Sequence, residues 1–250
     1  MRFLLLTLIS LGLAAPLIAA DPPKPHVVML IAEREYQTDQ TLPAFAKQYL
    51  ERDYRTTFVR ADAKDRHSLD GIEAVEQADV LVVSVRRRTL PQAQLELVRR
   101  YVAAGKPVIG IRTANHAFSL RNQEAPQGRA VWPEWDKQVF GGNYTNHYGN
   151  SLKVTVQVQP VPAAAKNLLR GIPQQSFTAG GSLYRVAPLA KSATVYLTGS
   201  VQGHPPEPVA WTYRRTDGGW SFYTSLGHVD DFHGKVLPQL LVNAISRATR

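Results

Sequence analysis

The chain has no cysteine among its 250 residues. That excludes a disulfide framework, a lipid anchor on an N-terminal cysteine, a thiol nucleophile and a thiolate metal site, and it leaves chemistry to oxygen and nitrogen groups. Long apolar runs are nearly absent as well: one stands out, the uncharged run Phe3–Ile18, and it is short for a membrane span. No repeat period appears, and the only biased stretch is Asp21-Pro22-Pro23-Lys24-Pro25, so a solenoid or a long disordered array is excluded.

The N-terminal run has the layout of a secretory signal peptide, with Arg2 before it and Ala19-Ala20 after it. Cleavage after Ala20 is expected, with residues 1–20 as signal peptide, 21–25 as linker and 26–250 as one domain. An uncleaved signal anchor is the competing account. The expected location is secreted or periplasmic, with no stable membrane span after cleavage. Loss of Arg2 would take the formal net charge from +9 to +8. A basic balance suits nucleic acid, an anionic surface or an anionic ligand. The export signal, and basic residues scattered everywhere except Arg86-Arg87-Arg88, argue against nucleic acid. About 230 residues then remain, enough to bury a sizeable core in one domain.

Three short apolar runs, His26–Ala32, Ala78–Val85 and Lys106–Ile111, are continuous and rich in β-branched residues. Runs of that kind indicate strands buried on both faces, hence a parallel sheet. Between them, Leu42, Phe45, Ala46, Tyr49 and Leu50 make one helical stripe, and Leu90, Leu95, Leu97, Val98, Tyr101 and Val102 another. Thr56–Ala61 fits a further strand. The second half differs: Leu152–Gln159 alternates, Ala193–Ser200, Pro208–Arg214 and Trp220–Ser225 are further strand candidates, and Lys235–Arg247 closes the chain as an amphipathic helix. Alternation signals one wet face, so antiparallel additions at the sheet edge or a small flap sheet are expected. The fold class is therefore α/β.

Ligands of open α/β sheets bind beyond the carboxyl ends of the strands, and that rule selects the candidate site. Glu33, Glu35 and Tyr36 follow the first strand; either glutamate offers an acid, a base or a metal ligand, against a solvated loop in which Thr38 or Asp39 caps the next helix. Arg86-Arg87-Arg88 follow the Ala78 strand, and their forks suit carboxylates, phosphates or vicinal hydroxyls, Arg87 being the substrate-binding candidate. Arg112, Thr113, Asn115 and His116 follow the strand Pro107–Arg112 in the layout of a nucleophile elbow, with Arg112, which cannot attack, at the nucleophile's position. His116 is an acid–base or ligand candidate against a capping or packing role. The glycine pair Gly141-Gly142 ends a helix from about Pro133 and brings Tyr144 and His147 together, where rings beside polar rims would suit a sugar. Leu226–His233 carries two histidines and two aspartates, His228, Asp230, Asp231 and His233, which could hold a divalent metal at a spacing that matches no named motif, or simply form a hydrogen-bonded turn capping the last helix.

The segments AEREYQTDQTLPAF, KPVIGIRTANHAF, FGGNYTNHYG and SLGHVDDFHGKVLPQLLVNAI, in that order, resemble the trehalose-utilisation, ThuA-like family. The resemblance covers most of residues 26–248 and implies the fold of class I glutamine amidotransferases, a flavodoxin-like three-layer sandwich. In those enzymes the strand corresponding to Pro107–Ile111 leads to a catalytic cysteine and a later strand to a His-x-Glu pair. The matching places here hold Arg112, and His228 with Asp230, so glutamine hydrolysis through a thioester is excluded. Some family members hold a metal through histidines, which makes a divalent metal such as zinc the candidate cofactor and His116, His228 and Asp230 its candidate ligands. Arg112 stands where the closer relatives are expected to carry a histidine, which counts against a directly transferred metal site.

Two functions follow. In the first, an exported enzyme acts on a small carbohydrate ligand, a sugar or glycoside, as hydrolase, lyase or isomerase. His116, His228 and Asp230 move protons, Arg112 fixes an oxyanion or hydroxyl, and Thr113, Asn115, Tyr144 and His147 line the pocket. In the second, the chain is a carbohydrate-binding module or envelope scaffold without chemistry.

Overall fold

A computed structural model describes residues 22–121 and 123–250. The expected signal peptide, residues 1–20, lies outside the described residues. Ten strands form the main sheet: β1 His26–Ala32, β2 Arg55–Ala61, β3 Leu69–Asp70, β4 Val80–Val85, β5 Val108–Ile111, β6 Val154–Val158, β7 Phe177–Ala179, β8 Ala193–Ser200, β9 Glu207–Arg214 and β10 Trp220–Thr224. The helices are α1 Thr38–Tyr49, α2 Gln92–Ala103, α3 Val229–His233 and α4 Val236–Ala248, with shorter helical turns between strands.

The order across the sheet is β3-β2-β1-β4-β5-β10-β9-β8-β6-β7. Strands β2, β1, β4, β5 and β10 run parallel. From β10 the sheet continues antiparallel through β9, β8, β6 and β7. Side-chain parity along β1 explains the unbroken apolar run. Val27, Met29 and Ile31 pack with Leu42 and Phe45 of α1 and Leu237, Leu240 and Leu241 of α4. Val28, Leu30 and Ala32 face the other way, onto Leu95, Val98 and Tyr101 of α2. Each large aliphatic side chain so buried contributes about 1.5–3 kcal/mol of transfer free energy, and the two cores make the protein a three-layer α/β sandwich.

Two local expectations change. Trp220–Ser225, grouped by the sequence with the second-half strands, enters the sheet as β10 in parallel register with β5, pairing Phe222 with Ile109 and Thr224 with Ile111. Its all-buried pattern after Trp220 suits a central strand. Leu90 is not part of the α2 stripe: it pairs with Ala130 in a two-stranded ribbon, and α2 starts only after Pro91, which takes an extended backbone and stands as its N-cap. Of the two arrangements expected for the alternating second-half strands, the antiparallel additions to the sheet are the one found, and a separate ribbon pairs Tyr184 with His147 and Arg185 with Asn146. Among the described residues no helix is long and apolar enough to cross a membrane.

Candidate functional site

The carboxyl ends of β1, β4, β5 and β10 bring the candidate segments to one side of the sheet. At the end of β5 the chain turns sharply into the helical turn Arg112–His116, and Arg112 takes a left-handed backbone, φ 46°. A non-glycine residue held there stores roughly 1–3 kcal/mol of strain, so other contacts must over-determine it. The Arg112 carbonyl accepts from the Tyr223 hydroxyl, and Nη1 donates to the Ser225 carbonyl at 2.8 Å. The guanidinium carbon lies 4.2 Å from the Tyr36 ring centroid and 4.8 Å from that of Tyr184. Gly181 lets its backbone pass against this guanidinium, where a Cβ would collide. The elbow geometry is thus present, with a buried arginine that ties β5, β10 and two aromatic residues together at the place of a nucleophile. Thr113, directly after it, is fully buried, and its hydroxyl has no partner.

Glu33, at the end of β1, is buried. One oxygen accepts from the amides of Glu35 and Tyr36 at 2.6 and 2.8 Å, and the other from the amide and hydroxyl of Thr38 at 2.9 and 2.7 Å. The residue before α1, Gln37, makes no side-chain cap, so Glu33 performs the capping expected of Thr38 or Asp39. Its oxygens are spent on the loop that presents Tyr36. Glu35 is exposed and pairs with Arg86 at 2.9 Å.

His116 is buried at the floor of a cavity of about 490 Å³ lined also by Arg87, Asn115, Arg121, Asp136 and Tyr144. Its ring stacks on Tyr144, centroids 4.4 Å apart and planes 18° from parallel. Nδ1 lies 2.6 Å from Asn115 Oδ1, which places the proton on Nδ1 and the lone pair on Nε2. Burial, then the charges of Arg87, Arg86, Arg121 and Arg112, hold the imidazole well below its ordinary pKa and therefore neutral. Arg87 also has a left-handed backbone, φ 48°, and its amide donates to the His116 carbonyl at 3.1 Å.

Asp136 shares this cavity. Its Oδ2 accepts the Tyr144 amide at 2.7 Å, while Oδ1 is sealed and has no partner. Burial, only partly offset by that amide, pushes its carboxyl up to about 7. His147 lies on the adjoining ribbon, 6.2 Å from the Tyr184 ring, with Nδ1 2.7 Å from the Tyr148 carbonyl.

His228 lies in the turn after β10 and touches Tyr36 edge-on at 5.9 Å. It is the N-cap of α3: Nδ1 accepts the Asp230 amide at 3.3 Å, while Asp231 accepts the His228 and Gly227 amides at 3.0 and 2.9 Å. Asp231 also accepts the Gly180 amide at 2.7 Å, and so joins α3 to the segment after β7. Asp230 is exposed and borders a second cavity of about 520 Å³ beside Asp231 and Lys235.

His116 and His228 therefore touch different aromatic rings, and Asp230 borders a different cavity from His116. Among the described residues no three His, Asp or Glu side chains form a metal-holding group. Arg87, Arg86, Arg121 and Arg112 surround the His116 ring, and their charge does not suit a divalent cation there.

Tyr184 and Asp136 are site residues that the sequence reading did not single out. A buried carboxyl with one unmet oxygen is visible only once Tyr144 and Gly142 fold over it.

Comparison with known proteins agrees with this architecture. A crystal structure of a ThuA-like protein from Bacteroides uniformis superposes with TM-score 0.65 at 17% identity, covering 94% of this chain and 95% of that one. A ThuA-like protein from Parabacteroides merdae gives 0.60 at 14%, covering 90% of each chain. At these identities the likeness shows the fold alone. No curated protein matches this chain. The family ThuA, described as trehalose utilisation, matches residues 27–247, which supports a sugar-related role, and the chain belongs to the ThuA family.

Proposed function

We propose that this chain is exported and takes a sugar or glycoside into the His116 cavity, where it performs acid–base chemistry of the hydrolase, lyase or isomerase type. One observation carries the reading. The cavity is lined by an imidazole held neutral and by a carboxyl pushed up to about 7, and titratable groups driven apart in this way mark acid and base roles. Nε2 of His116 accepts a proton from the reacting sugar hydroxyl, and protonated Asp136 gives one to the departing oxygen, its buried Oδ1 becoming reachable when the Tyr144 turn moves aside. Tyr144 offers a flat face to sugar C–H groups, and Asn115 Nδ2, which has no partner among the described residues, donates to a hydroxyl. Arg112 occupies the elbow without an attacking atom, so neither a thioester nor a covalent glycosyl intermediate forms there.

The test is turnover of accepted glycosides by His116→Gln and Asp136→Asn, with folding checked by circular dichroism. Loss of general acid–base catalysis lowers kcat by about 10²–10⁴-fold. Unchanged kcat in both variants on every accepted glycoside would refute the reading.

A second reading, a carbohydrate-binding module or envelope scaffold, is favoured by a different observation. His228 and Asp230 are committed to the α3 cap or exposed beside another cavity, leaving fewer proton carriers at His116 than the sequence suggests. Calorimetric binding of a sugar with no product formed would select it.

A further inference from the structure

The His116 cavity opens beside a second hollow of about 450 Å³ lined by Arg66, Arg86, Arg87, Arg88 and Arg121. Arg87, Leu120 and Arg121 line both. The lining of the second hollow contains no aspartate or glutamate. Among the described residues only Arg86 of these five arginines makes an ion pair, with Glu35 at 2.9 Å. Like charges gathered in this way repel one another, and among the described residues the Arg86–Glu35 pair is the one ion pair that offsets the repulsion.

The unmet donors point the same way. Arg87 makes one long side-chain hydrogen bond, Nη1 to the Ser119 carbonyl at 3.4 Å, and its Nε has no partner. Arg88 is buried with Nη1 on the Arg86 carbonyl at 2.8 Å and Nε unpartnered. Asn115, 2% exposed, borders the cavity with Nδ2 unpartnered. The one acidic side chain lining either hollow is Asp136. Buried polar groups in folded proteins are nearly always paired, so a concentration of unpaired donors calls for an acceptor from outside the chain.

We infer that the saccharide bound in the His116 cavity carries an oxyanion, a carboxylate or a sulfate or phosphate ester, seated between Arg87 and Arg121. The inference rests on the sugar reading above and narrows it to acidic saccharides. Guanidinium forks match such oxyanions through paired N–H donors. The sugar ring lies towards Tyr144 and His116, and the anion extends into the arginine-lined hollow. The left-handed backbone at Arg87, fixed by its amide on the His116 carbonyl, then couples the anion site to the proton-transfer site. The volumes suit a mono- or disaccharide rather than a polymer backbone.

Calorimetry on the full chain at low salt tests this with methyl glucoside, methyl glucuronide, glucose 6-phosphate, glucose 6-sulfate and inorganic phosphate. The expected result is that one of the three acidic sugars binds at least about tenfold tighter than methyl glucoside, as a charge-assisted contact provides. That advantage shrinks in high salt. Arg87→Gln and Arg121→Gln bring the ratio towards one, because they weaken the acidic sugar more than methyl glucoside. Equal affinity for neutral and acidic sugars overturns the oxyanion inference and leaves the sugar reading standing. Binding of inorganic phosphate with no saccharide bound overturns the sugar reading itself.

Discussion

The Tyr144 ring lies flat against His116, and among the described residues the Tyr144 amide is the sole hydrogen-bond donor to the Asp136 carboxyl. One residue thus touches both proton carriers of the cavity. Replacing it with alanine removes the stacking face while leaving the amide. Tyr144→Ala is expected to lose the aromatic-pair contribution of about 0.5–1.5 kcal/mol in urea denaturation and to weaken sugar binding. Tyr144→Phe is expected to retain both. Loss in the phenylalanine variant as large as in the alanine variant would show that the hydroxyl, not the stacked face, matters.

Two buried groups give stability opposite pH dependences. The His116 imidazole resists protonation in the folded state, so the unfolded chain takes up the proton first and stability falls as pH drops below about 6.5. The Asp136 carboxyl, raised to about 7, binds its proton more tightly when folded. Its contribution is complete below the unfolded value of about 3.9 and is lost as pH rises through about 7. Asp136→Asn should therefore gain melting temperature relative to the parent at pH 8 compared with pH 5, by about 2–4 °C per kcal/mol relieved. His116→Gln should flatten the acid limb. Parallel melting curves for parent and variants from pH 5 to 8 would contradict both assignments.

Arg112→Ala removes the partner of the buried Ser225 carbonyl and the cation between Tyr36 and Tyr184. An orphaned carbonyl costs about 1–3 kcal/mol, and desolvated cation–π contacts add about 2 kcal/mol. Alanine does not relieve the left-handed backbone, so no gain offsets the loss. Guanidinium chloride denaturation should show a destabilisation of about 3–5 kcal/mol. A change below about 1 kcal/mol would mean that Arg112 is held by the fold rather than holding it.

Glu33→Gln is expected to loosen the start of α1 locally. The four donors that converge on this carboxylate would lose charge assistance, at about 0.5–1 kcal/mol for each bond weakened. Hydrogen exchange should quicken at the Glu35, Tyr36 and Thr38 amides and leave those of β4 unchanged. Uniform quickening throughout the chain would point to global destabilisation instead.

The parallel half of the sheet is legible in the sequence because its strands are apolar on both faces, as Val27–Ile31 and Val80–Val83 show. The position of Arg112 at the elbow is legible for the same reason: the end of an apolar run dictates where the turn begins. The rings that enclose Arg112 are not, since Tyr184 lies on a two-residue ribbon whose partner, His147, is distant along the chain. Glu33 reads locally as a solvent-facing carboxylate; only the path of residues 34–38 around it turns it into a cap. Asp136 opens a π-helical turn, Asp136–Phe140, and its altered acidity comes from what packs over it. Strand β10 carries no mark of its central place, because a parallel neighbour is chosen by topology rather than by composition.

That central place governs the order in which the protein can be completed. Strand β5 acquires its second neighbour only when Ser221–Thr224 reach Val108–Ile111. At roughly 5–20 residues per second, a growing chain leaves that strand's edge bare for on the order of 10 s, with apolar side chains on both sides of it. A bare edge of this kind invites pairing with another copy. Shielding of nascent chains by chaperones is therefore expected to matter most in the interval between the synthesis of Ile111 and that of Thr224.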